Sequence, residues 1–221
     1  MNRLSNVAFG CFAGLVAVGA YAWFNPMPTR QAGPTDPAQP IVKVADAQDS
    51  IDEALFDAPA FDLIDPDGKP FGSKDLMGKP YAVMFFFSEC QGVCPGMTGR
   101  MKHLQSQVEG TDVQIVSFTV DPINDTPEKL AGHRAAIGAD GTRWHLLTGT
   151  PEQMIAVAKG FNLPYDSPVN HSSAFLLVDR KSKVRGIYPT GDLPQTTDID
   201  EAKDNMARLA ADAKTLTQEK R

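Results

Sequence analysis

The sequence predicts an α/β domain with a mixed central sheet flanked by helices. Three observations predict it. Strand-like apolar runs alternate with helix-like segments from about residue 55 onward. Two of the runs, Tyr81–Phe87 (YAVMFFF) and Val113–Val120 (VQIVSFTV), are largely apolar, as expected of strands covered on both faces. The alternation closes with a hairpin and a last helix, so parallel and antiparallel pairing share one sheet.

The elements follow in order. Ala60–Ile64 is a short strand, and Asp65-Pro66-Asp67-Gly68 is a turn by composition. After the Tyr81–Phe87 strand, Pro95–Val108 reads as a helix. Its proline stands in the first turn, and Met97, Met101, Leu104 and Val108 share one face. The Val113–Val120 strand leads to Asp125-Thr126-Pro127-Glu128, which supplies a cap, a helix-starting proline and an acidic first turn for a helix to about Ile137. Pro151–Lys159 is a short helix. Ser173–Val178 and Lys183–Tyr188 are strands joined by the turn Asp179–Ser182. Ile199–Leu216 is the closing helix, with Ile199, Ala202, Met206, Leu209 and Leu216 facing inward.

At 221 residues the chain accommodates one well-packed domain with extensions, or two small ones. Its net charge of -6 gives no basic footprint for nucleic acid or anionic lipid. The N-terminus is more specific. Val7–Phe24 is an 18-residue run without a charged side chain, preceded by Arg3. That is close to the length of a membrane-spanning helix, and Tyr21, Trp23 and Phe24 fit an interfacial aromatic belt. Residues 1–24 therefore read as a signal-anchor that places the rest outside the cytoplasm, the bacterial periplasm being the expected compartment. A cleaved signal peptide is the alternative, because Ala20-Tyr21-Ala22 has the small-x-small pattern of a cleavage site. Lipidation at Cys11 fits poorly, since only four apolar residues precede it. Residues 25–54 are polar and proline-rich, a tether between the membrane and a folded domain at 55–221.

With Cys11 set aside in the anchor, the exported part holds one pair, Cys90 and Cys94, in FFFSECQGVCPGM. A single close pair is not the framework of a disulfide-stapled scaffold. The pair stands where a strand passes through a loop into a helix, and a helix N-terminus favours thiolate, the nucleophilic and metal-binding form. Thioredoxin-like redox sites share this layout with two residues between the cysteines; here there are three. The wider loop still allows a disulfide, and it also lets two sulfurs converge on one ion. Four-ligand zinc calls for further Cys or His at recognisable spacing, which the chain lacks. Two thiolates plus one imidazole suit copper, as Cu(I) or Cu(II). Of four histidines, His103, His133 and His145 read as ordinary surface or half-buried residues. His171 stands at the lip of the Ser173–Val178 strand, and position alone leaves ligand and ordinary loop residue both open. Met97 and Met101 are soft donors, but their spacing is that of a core stripe. Two inert buried cysteines remain the bland reading of the pair.

Four stretches in order, FFFSECQGVCPGM, VSFTVDPINDTPEKL, RWHLLTGTPEQ and NHSSAFLLVDRKSKVRGIYP, resemble the SCO/SenC family of membrane-anchored, thioredoxin-fold proteins, over about Ala60–Tyr188. The resemblance implies a thioredoxin-like fold and one copper ion held by Cys90, Cys94 and His171. It implies delivery of copper to the dinuclear copper centre of cytochrome c oxidase, reduction of that centre's cysteines, or both. The partner would be the copper-binding subunit of the oxidase or another copper acceptor, besides the membrane, and no nucleic acid. Asp121 and Pro122 match the family's V-D-P strand end and read as structural. One departure stands out: many members have Pro-Asp after the first cysteine, where this chain has Gln91-Gly92. The expected protein is a metallochaperone rather than an enzyme. An extracytoplasmic thiol-disulfide oxidoreductase or redox sensor, with Cys90 and Cys94 as its catalytic residues, is the competing class. A peroxide-consuming enzyme is weaker, with no supporting arginine identifiable.

Overall fold

In the computed structural model, which describes residues 51–92, 94–163, 174–190 and 199–219, the alternating pattern becomes one six-stranded sheet with helices on both faces. In chain order the elements are β1 (Phe56–Asp57), β2 (Asp62–Ile64), β3 (Pro70–Gly72), a 3-10 turn (Ser73–Leu76) and β4 (Tyr81–Phe86). Helix α1 (Cys94–Gln107), β5 (Gln114–Thr119), α2 (Pro127–Ile137), β6 (Trp144–Leu147) and α3 (Pro151–Gly160) follow. The chain then forms β7 (Ala174–Val178), β8 (Lys183–Pro189) and α4 (Ile199–Gln218).

The sheet order is β1-β8-β7-β4-β5-β6, with β2 and β3 forming a separate two-stranded ribbon. β4, β5 and β6 run parallel, while β7 pairs antiparallel with both β4 and β8. The sheet is mixed, as the sequence predicts, and β7–β8 is the expected hairpin. The short strands β1, β3 and β6 are not among the expectations. Trp144–Leu147 joins the sheet because it lies parallel to β5 in the register Ile115↔Trp144, and its indole N–H donates to Ser117 Oγ at 2.8 Å.

Burial explains the unbroken apolar runs. Along β4, Ala82, Met84 and Phe86 enter one core with α1 and α4, while Tyr81, Val83 and Phe85 enter the other with α3. With both faces covered, alternation disappears from the sequence. Met97, Met101, Leu104 and Val108 are all fully buried in the first core, so the methionines form the core stripe. Met206, Leu209 and Leu216 of α4 are buried in the same core; the side chains of Ile199 and Ala202 lie outside the described residues.

Local signals set the helix ends. Thr126 caps α2 by accepting from the Lys129 N–H, with Pro127 at the first position, and Gly138 ends the helix at φ 67°. Thr150 and Gln153 form a reciprocal capping box at α3. Among the described residues no helix is long and apolar enough to cross a membrane. The expected anchor, and the tether up to Ser50, fall outside the described residues.

Candidate metal centre

β4 and β5 are parallel neighbours, so their C-terminal ends open on the same edge of the sheet. Ligand sites of open α/β folds form at that edge. From β4 the chain enters the loop Phe87–Gly92, which carries Cys90, and resumes as α1 with Cys94 as its first residue. The Cys90 N–H donates to the Phe87 carbonyl at 3.2 Å, turning the loop back toward the sheet.

Both cysteines are free thiols; Cys90 is half-buried and Cys94 only 4% exposed. Their side chains are hydrogen-bonded to one another. Burial pushes the Cys94 thiol up to about 12, and the bond to Cys90 adds to the shift. The helix start that the sequence reading credits with favouring thiolate is outweighed by loss of water around the sulfur. In the metal-free protein Cys94 is a thiol, and a cation bound there would displace its proton.

The pair opens onto a cleft of about 440 Å³, shared by Phe87, Ser88, Lys102 and His133. His133 stacks on Phe86 at a centroid distance of 5.5 Å. Burial holds its imidazole below the ordinary range, and the Asp125 carboxylate pulls in the opposite sense. His133 reads from sequence as an ordinary helix residue, yet it lines the same cleft as the cysteines. Its neighbourhood depends on how α2 packs, which helical spacing does not encode. His103 is exposed, on the wall of a different groove between α1 and α4. His145 stacks on Phe71 at 4.3 Å and shares a hydrogen bond with Gln114.

Gln91 and Gly92, the departure from the family pattern, are exposed; a Cβ at Gly92 would meet Cys90 Sγ at 4.0 Å and nothing nearer. Asp121 lies in the loop after β5 and accepts from Asn124 Nδ2 at 2.8 Å. Thr126, directly before the helix-starting Pro127, supplies the cap of α2, and Asp125 turns inward. Among the described residues no three His, Cys, Asp or Glu side chains gather as a metal site. His171, the third expected ligand, lies outside the described residues.

Strand, cysteine loop and helix on a mixed sheet define a thioredoxin-like protein. The SCO1/SenC family model matches residues 49–209, and the chain belongs to that family. A SCO1/SenC family lipoprotein from Bacillus anthracis is similar at 35% identity and TM-score 0.64, over 76% of this chain and all of that one. BsSco, described with a disulfide switch as a member of the Sco family of cytochrome c oxidase assembly proteins, matches at 28% identity and TM-score 0.64, covering 76% and 98% of the two chains. Arabidopsis thaliana ScoI with copper bound matches at 25% identity and TM-score 0.56, covering 70% and 98%.

Proposed function

We propose that this chain is a copper-binding assembly factor for cytochrome c oxidase. The observation that carries the reading is the pair of free, mutually hydrogen-bonded thiols at the mouth of an open cleft. Two adjacent soft donors on a rigid strand–helix junction suit a soft cation, and the copper-bound and oxidase-assembly relatives are of this family. Cys90 and Cys94 supply two sulfur ligands and His171 an imidazole. The antiparallel register of β4 with β7 supports His171: β7 begins, at Ala174, on the edge of the sheet where β4 ends. His171 precedes Ala174 by three positions, a reach of about 10 Å.

Copper is cargo here. It passes to the cysteines of the oxidase's copper-binding subunit by ligand exchange, one acceptor sulfur replacing one donor sulfur at a time. The same contact between thiols favours a second reading, in which the pair passes electrons to a partner's disulfide and becomes a disulfide itself. Residues 1–24 anchor the chain and 25–54 space the domain from the membrane, outside the cytoplasm. The similar Bacillus anthracis protein is described as a lipoprotein, which supports a membrane-associated reading.

Cells lacking the chain test the proposal. They are expected to lose oxidase activity and oxidase copper, with recovery on returning the native chain and none with Cys90→Ser or Cys94→Ser. Full oxidase copper in the deleted strain would exclude the assembly role.

A further inference from the structure

We infer that Asp125 is a positioning residue for the cysteine pair, fixing Cys90 against Cys94 through Ser88. The inference rests on the reading of Cys90 and Cys94 as the working pair.

The two cysteines are held differently. Cys94 begins a helix and is packed into the core. Cys90 is half-buried, and the residues that follow it, Gln91 and Gly92, are exposed. Its placement therefore depends on the loop before it. There the backbone N–H of Ser88 donates to Asp125 Oδ2 at 3.1 Å, and the Ser88 hydroxyl donates to Oδ1. The Thr119 hydroxyl donates to Oδ2 at 2.5 Å. Thr119 ends β5 opposite Phe86, the last residue of β4. One carboxylate thus joins the ends of both parallel strands to the loop two residues before Cys90.

Asp125 is 1% exposed. A carboxylate that deep is tolerated only with its lone pairs engaged, and charge-assisted hydrogen bonds are stronger than neutral ones. The backbone N–H of Asp125 donates to the Asp121 carbonyl at 2.8 Å, which fixes the carboxylate in turn. One position along the loop, Glu89 pairs with Lys129 at 2.7 Å, but Glu89 is 70% exposed and such pairs contribute little. The buried bond is the one that holds the loop. Loosening it lowers the effective concentration of one sulfur at the other, so the disulfide forms less readily and any ion shared by both sulfurs is held less tightly.

The test uses the full-length chain as Asp125→Asn, Ser88→Ala, the double variant and Thr119→Val. The disulfide's equilibrium constant is read in mixtures of reduced and oxidised glutathione by thiol trapping, beside thermal melting. Asp125→Asn is expected to lower that constant by about fivefold and Ser88→Ala, which keeps the backbone N–H bond, by about threefold; the double variant goes no further than Asp125→Asn, because the Ser88 hydroxyl acts through the same carboxylate. Thr119→Val, which frees the same carboxylate from β5, is expected to lower the constant as well, by about twofold. If Asp125→Asn does not fold, Ser88→Ala, which removes one hydroxyl, decides alone. Constants unchanged while the melting temperature falls would make Asp125 a structural residue only and overturn the inference. Copper(I) titration of the native chain in parallel separates the readings: native protein that binds no copper sinks the copper proposal, and the glutathione result still judges Asp125.

Discussion

The guanidinium of Arg185 meets the carboxylate of Asp179 at 2.9 Å, with the two side chains only 9% and 5% exposed. Arg185 also donates to the Ile51 carbonyl at 2.6 Å and to Glu219, tying the start of the described chain and the end of α4 to the β7–β8 hairpin. Asp179 meanwhile accepts the backbone N–H groups of Lys181 and Lys183 and closes the hairpin turn. Removing Asp179 leaves the buried Arg185 paired only with the more exposed Glu219, and takes the acceptor from the turn N–H groups of Lys181 and Lys183. Asp179→Ala is therefore expected to lower stability by about 3 kcal/mol, read as a lower urea midpoint at unchanged slope. A loss below about 1 kcal/mol would mean that water enters and solvates the arginine.

His145 sets an acid limit on stability. Burial lowers its imidazole to about 4, with Lys79 adding to the shift, against an unfolded value near 6.5. Between these values the unfolded chain binds the proton and the folded chain does not, so stability falls as pH drops from about 6.5 to about 4. The full shift would cost about 3 kcal/mol; partial exposure of the ring reduces the expected loss to about 1–2 kcal/mol. Urea unfolding at neutral pH and at about pH 4.5, on the native chain and on His145→Gln, measures it. The variant should lose less stability on acidification. Equal losses would assign the acid sensitivity elsewhere, His133 being the other histidine among the described residues whose imidazole burial lowers.

Gly92 offers a way to tune the pair without disturbing the fold. It is exposed, and a Cβ there would lie 4.0 Å from Cys90 Sγ. Gly92→Asp is expected to change stability by less than about 0.5 kcal/mol. The added negative charge should slow reaction of the thiols with an anionic disulfide reagent by about threefold at low salt, and less at high salt. A rate that does not respond to the substitution or to salt would show that the loop keeps that carboxylate away from the sulfurs.

The buried half of this molecule was the legible half. Doubly covered strands write themselves as unbroken apolar runs, so β4 and β5 could be read within one or two residues. The Pro127 and Pro151 helices were bounded by caps and prolines whose effect is local. β1, of 2 residues, is set by pairing with the distant β8, and β3, of 3, pairs locally with β2; neither is long enough to leave a periodic trace. At the site the spacing of Cys90 and Cys94 marked a pair of soft donors and left their use open, and the resemblance to the SCO/SenC family is what implied copper. The inward turn of Asp125 and the packing of His133 into the cleft come from contacts 37 residues apart and from the docking of α2, neither of which spacing records.

The proposed copper site is tested most directly by metal titration of the full-length chain beside His171→Ala and Cys94→Ser. One copper per native chain is expected, with a fall in affinity of at least about a hundredfold in His171→Ala and no stable binding in Cys94→Ser. Copper bound by His171→Ala at the native stoichiometry and affinity would contradict the three-ligand site.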